Sequence, residues 1–201
     1  NGVQKRYVER LNTRLFANQR DWFFVDCGLT YDGRNATATT ITLTGTGWTD
    51  DDELTATASA SLFVGTSDEG DWIVFDYEGD PLRMVITDYV SATVVKVRPV
   101  RNVPEEWQVV ATTNWAIGRD SISGLSHLEG ETVAILADAF VQESREVVSG
   151  AITLDNPAVV VHVGLPYTST FETLSVNAPG GETIRSRAKI IKKVNLLVEQ
   201  G

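Results

Sequence analysis

The sequence predicts an all-β fold: an antiparallel sandwich or barrel-like domain that carries a second, smaller β domain as an insertion. Three observations lead there. β-Branched and aromatic residues recur in short runs, the runs are broken by Gly, Asp, Asn and Pro, and several alternate polar with apolar side chains at the two-residue period of a strand. With 201 residues, 42% of them apolar and 22% charged, the chain can build one large β domain or two small ones.

Taken in order, Thr40-Ile41-Thr42-Leu43-Thr44 alternates as a half-buried strand should. The Ala- and Thr-rich stretch from Glu53 to Leu62 could form one short helix, although Thr and Ser are weak helix formers. Trp72-Ile73-Val74-Phe75 suits a strand buried on both faces, and Gly79-Asp80-Pro81 makes a turn. Met84 to Thr87 and Thr93 to Val97 read as the next strands, parted by a polar bend from Asp88 to Ser91 and closed by Pro99 and Pro104. Beyond residue 118, Thr132 to Leu136 is a strand, and Ala158 to Val163 is another, entered through Asp155-Asn156-Pro157. The final run, Thr183 to Val198, sets Arg185, Arg187 and Lys189 on one face and Ile184, Ala188 and Ile190 on the other. A bulge near Lys192-Lys193 would carry Val194, Leu196 and Val198 to a common face.

The formal charge of −10 is unevenly spread. Residues 37–118 hold 13 acidic and 4 basic side chains, residues 1–36 hold 4 and 6, and residues 119–201 hold 10 and 7. The middle is therefore read as an inserted acidic β domain, 37–118, with 1–36 and 119–201 pairing around it as an outer β domain. So acidic a middle repels nucleic-acid phosphates, which argues against sequence-specific DNA binding. No run of roughly 18 apolar residues is present, so no membrane span is expected. The start, Asn1-Gly2-Val3-Gln4, lacks an initiator Met and a secretory signal, and Glu199-Gln200-Gly201 follows directly on a strand-like run. Both ends are expected to be cut from something longer.

Candidate chemistry is thin. Ser126-His127 is the one serine beside a histidine, but neighbours on a strand point to opposite faces and cannot pair as nucleophile and base. His162, between Val161 and Val163, is expected to face solvent or a neighbouring subunit. Asp50-Asp51-Asp52-Glu53 lacks the spacing and glycine of a calcium loop and reads as a solvated turn. Gly45-Thr46-Gly47 lacks the rest of a phosphate loop. Asn35-Ala36-Thr37 fits a glycosylation acceptor, but no secretory route is expected and the match reads as chance. The lone Cys27 rules out an intrachain disulfide; beside Asp26 its thiol is not activated, and it reads as a small core residue. The two histidines and one cysteine cannot supply a tetrahedral metal site, so neither metal, cofactor nor catalytic residue is expected. The remaining candidate is the basic face Arg185, Arg187, Lys189, Lys192 and Lys193, which could meet an acidic partner subunit, touch DNA phosphates or be a solvated strand face.

Four stretches carry a resemblance: Arg6-Tyr7-Val8-Glu9-Arg10; Phe23 through Gly33; Ile122-Ser123-Gly124-Leu125-Ser126-His127-Leu128-Glu129-Gly130-Glu131-Thr132-Val133; and Leu136-Ala137-Asp138 with Val161-His162-Val163-Gly164-Leu165-Pro166-Tyr167. Together they resemble tail structural proteins of tailed bacteriophages, of the nozzle or tail-tube-end type found in short-tailed phages and prophages. The resemblance covers residues 6–33 and 119–198, and the middle is similar to the small β insert such proteins carry. Two positions depart from the pattern: Cys27, where a small residue is usual, and Ala139, where glycine is usual. The resemblance implies a non-enzymatic virion component, self-associated in a ring, by that likeness a hexamer, and joined to other tail proteins. It implies assembly in the bacterial cytoplasm, a place in the DNA-exit path and at most passive contact with passing DNA. Two other functions stay open: a tail-tip module binding host glycans through Trp48, Trp107 and Trp115, and a cell-wall hydrolase, which would need paired carboxylates in a cleft.

Overall fold

The computed structural model describes Phe16, residues 18–23 and residues 25–168. Within them the fold is all-β, as the sequence predicts. The strands are β1 (Asp26–Asp32), β2 (Ile41–Thr44), β3 (Leu54–Ala58), β4 (Trp72–Phe75), β5 (Leu82–Ser91), β6 (Val94–Pro99), β7 (Trp115–Ser123), β8 (Thr132–Ala137), β9 (Phe140–Glu146), β10 (Ala151–Ala158) and β11 (Val160–Leu165). They form a four-stranded sheet, β1-β11-β8-β9, and a seven-stranded sheet, β10-β7-β4-β5-β6-β3-β2, with every strand pairing antiparallel. No helix of the described residues is long and apolar enough to cross a membrane.

Two apolar clusters account for this arrangement. The first is filled by alternate residues of six strands: Ile41 and Leu43, Leu54, Ala56 and Ala58, Ile73 and Phe75, Leu82, Met84 and Ile86, Val95 and Val97, Trp115 and Ile117. The strands curl around it because the outer edge of β2 is bonded by the segment that leads into β7. Ile41 and Thr112 exchange backbone hydrogen bonds of 2.9 and 3.0 Å, and the Val109 amide donates to the Leu43 carbonyl at 3.1 Å. The second cluster lies between the four-stranded sheet and β10 with the far half of β7, and takes in Ile122, Val133, Ile135, Ile152, Leu154, Val161 and Val163. β7 serves both clusters: residues 115–118 pair with β4, and Arg119 to Ser123 pair with β10. A third, smaller group, Val74, Tyr77, Ala116, Val159 and Val160, packs where they meet.

Three local expectations change. Glu53 to Leu62 holds a strand rather than a short helix, because Leu54, Ala56 and Ala58 alternate into the core while Thr55 and Thr57 turn outward. Such two-residue burial outweighs the modest helix preference of alanine. Asp88 to Ser91 continue β5 instead of bending away; the hairpin turns at Ala92-Thr93, and register shifts after Ile86 and after Tyr89 absorb the polar residues. Asp155-Asn156-Pro157 lies inside β10, where the register shifts between Thr153 and Ala158, so the missing proline amide sits within an irregularity of the ladder. Trp72 to Phe75 is the strand expected, with Ile73, Val74 and Phe75 buried.

Candidate functional site

Buried and half-buried polar side chains form three bonded groups in this fold. Asp138 and Ala139 form the two-residue turn between β8 and β9, both at positive φ, 50° and 69°. That turn points the Asp138 carboxylate back at the core. It accepts the Val159 and Val160 amides at 3.2 and 2.9 Å and the Tyr77 hydroxyl at 2.5 Å. Burial, reinforced by this bond, pushes the Tyr77 phenol well above its ordinary range. The Arg20 guanidinium lies 4.5 Å from the centre of the Tyr77 ring and donates to the Tyr77 carbonyl at 3.0 Å.

The Arg20 carbonyl in turn meets His162 Nε2 at 3.0 Å. A carbonyl only accepts, so Nε2 carries the proton. In the neutral ring, Nδ1 then accepts from Thr30 Oγ1 at 2.8 Å. His162 is 3% exposed, in contrast to the solvent- or subunit-facing position expected from its valine neighbours. It lies on the face of β11 opposite Val161 and Val163, but Arg20 and Phe23 cover it, with the Phe23 ring 5.8 Å away. The order hydroxyl, imidazole, carbonyl is that of an activated nucleophile. Here it joins directly paired residues of two neighbouring strands and satisfies both nitrogens of a buried ring.

A second group centres on Arg34, which bonds Asp32 at 2.7 Å, Asp21 at 2.8 Å and Glu78 at 3.3 Å. Partial burial would raise the Asp32 carboxyl, but the Arg34 bonds outweigh it and hold the group below its ordinary value. A third group lies beside the middle of β7. Asp68 and Asp71, 1% and 3% exposed, share the Arg119 guanidinium at 3.4 and 3.9 Å. Asp68 Oδ2 accepts the Val64 amide at 2.6 Å, whereas its buried Oδ1 has no hydrogen bond. Asp71 Oδ1 accepts the Asp120 amide at 3.3 Å. Burial, only partly countered by Arg119, pushes Asp71 up to about 6. Tyr31 donates to the Ile117 carbonyl at 2.9 Å, and burial pushes its phenol up to about 12.

The residues singled out from sequence fall elsewhere. Ser126 and His127 lie in the 3-10 turn Ser126–Leu128, where exposed His127 contacts the Cys27 carbonyl through Nε2 at 2.9 Å. Cys27 packs half-buried against the second cluster. Asp50 to Glu53 form a turn in which Asp52 accepts the Thr49 amide and hydroxyl, both at 2.8 Å. The Asn35 amide group bonds the Thr37, Thr39 and Thr113 carbonyls. Trp115 is buried and Trp48 and Trp107 pack on the first cluster, so the three do not present an aromatic platform. Arg185, Arg187, Lys189, Lys192 and Lys193 lie outside the described residues. Among those residues no group of three or more His, Cys, Asp or Glu is placed to hold a metal ion. Tyr77, Asp68, Asp71 and Arg119 carried no signal in the sequence, whereas His162 was a candidate with a different expected setting and Asp138 stood in a stretch that carries the resemblance. No family model matches the chain, and no curated protein matches it significantly.

Proposed function

We propose that this chain is a non-catalytic structural component of a bacteriophage tail, part of a nozzle or tail-tube-end ring through which DNA leaves the particle. The observation that carries the reading is β9. It ends the four-stranded sheet, and it exposes Phe140 and Val141 at 77% and 83%. Apolar residues on an edge strand favour contact with another protein surface, here a neighbouring copy or another tail protein. The use of the internally bonded polar groups agrees with a passive role. Asp138, His162, Arg34 and Asp68 are engaged in holding segments of this chain together. The net charge of −10 suits a wall along which phosphates pass without sticking.

The deciding experiment is mass spectrometry of purified particles joined to cryo-microscopy of the intact virion. The expected result is this chain in a ring in the tail. Finding it in the capsid shell, or in no particle, refutes the proposal. A glycan-array signal from the purified chain, or turnover of cell-wall polymer, would replace it with the binding or hydrolase function.

A further inference from the structure

Asp68 and Asp71, both buried, face the single, partly exposed guanidinium of Arg119, so the three groups carry one more negative charge than positive when both carboxylates are ionised. Asp68 follows from the 3-10 turn Thr66–Asp68, Asp71 leads into β4, and Arg119 sits on β7 where that strand passes from the first cluster to the second. One guanidinium faces both acids at 3.4 and 3.9 Å, neither as a close hydrogen-bonded pair, and Asp68 Oδ1 is buried without a hydrogen bond. Removing an ionised carboxylate from water is costly unless it is paired and bonded, and one arginine cannot do this for two.

We propose that this cluster is a proton-operated latch: in mildly acidic solution Asp71 takes up one proton, the cluster becomes neutral, and the corner before β4 is held more firmly to β7. The choice of Asp71 follows from the contacts. Asp68 receives the 2.6 Å amide bond from Val64 and has the shorter approach to Arg119. Asp71 has the 3.9 Å approach and a weak 3.3 Å amide bond from Asp120. Among the charged groups around it, Arg119 opposes protonation, while the carboxylates of Asp120 and Asp68 favour it. Tyr31 remains a neutral phenol throughout this range, its group pushed up to about 12. From β5 the contribution is the Ile86 amide, bonded to the Asp71 carbonyl at 2.9 Å.

The sign is fixed by linkage. Asp71 binds its proton at about 6 in the folded chain and near 4 when unfolded, so between those values the native state holds more protons. The stabilisation is complete below about pH 4 and is lost as pH rises through about 6. Two pH units correspond to a change of about 100-fold in the unfolding equilibrium. The test is urea unfolding of the full chain at intervals from pH 4 to 7.5, beside Asp71→Asn, which imitates the protonated acid. The variant is expected to gain on the parent by roughly that factor as pH rises from 4 to 7.5. Parallel profiles for the two proteins would overturn the latch. Carbon-detected NMR titration of the parent's carboxyl groups gives a second reading that needs no variant. An Asp71 midpoint near 6 is expected, and one near 4 rejects the proposal.

Discussion

Ala139 shows how much one side chain can cost without touching anything. Its φ of 69° lies in the left-handed region that L-residues enter at roughly 1–2 kcal/mol, and it follows Asp138 at 50°. Glycine removes that strain and returns part of the gain through a more flexible unfolded chain. Ala139→Gly is therefore expected to stabilise the protein by about 0.5–1 kcal/mol in urea unfolding, with the Asp138 contacts kept. A loss of stability would mean that the turn is not built this way. Val109 has a similar conformation, with φ of 59°, in a β-branched residue that tolerates it poorly.

At the scale of elements, the end of β1 is held by backbone as well as by the Tyr31 and Asp32 side chains. The Gly33 amide donates to the Val159 carbonyl at 2.8 Å, and the Gly33 carbonyl accepts the Ile117 amide at 2.8 Å. A Cβ at this position would lie 1.9 Å from the Ile117 carbonyl oxygen, which is main chain of a paired strand and cannot swing aside. Gly33→Ala is expected to cost about 3 kcal/mol, measured by thermal or urea unfolding. A change below 0.5 kcal/mol would show that β1 does not approach β7 so closely. The strands themselves were legible because their period of two is written in the residues, as in Leu54, Ala56 and Ala58. Strand ends were less so. Polar residues at Asp88 to Ser91 and at Asp155 to Pro157 look like turns in sequence, yet irregular pairing lets a strand carry them.

The eleven described strands are coupled through β7 and through the Tyr77–Asp138 bond, which ties the turn after β4 to the turn after β8. All eleven strands belong to one compact unit. Calorimetry of the strand-bearing unit is therefore expected to give one transition whose calorimetric and van't Hoff enthalpies agree; two separated transitions would show that the clusters unfold independently. Tyr77→Phe keeps the ring under Arg20 but removes a hydrogen bond to a half-buried carboxylate. It is expected to lower stability by about 2 kcal/mol without splitting the transition. An unchanged melting temperature would mean that the bond adds nothing to the coupling.

What the sequence determined by itself is the class of fold and most of its strands. Alternating β-branched residues and turn residues act over a few neighbours, and they need no distant partner to be read. The polar centre was decided by tertiary structure alone. Asp68 and Asp71 sit among Ser, Glu and Gly residues that look solvated, Arg119 lies 48 positions beyond Asp71 and Asp138 lies 61 beyond Tyr77. Valines on either side of His162 gave no hint that Arg20 and Thr30 would enclose it. Burial of a charge depends on which strands meet, and that is fixed only when two clusters close on a shared strand.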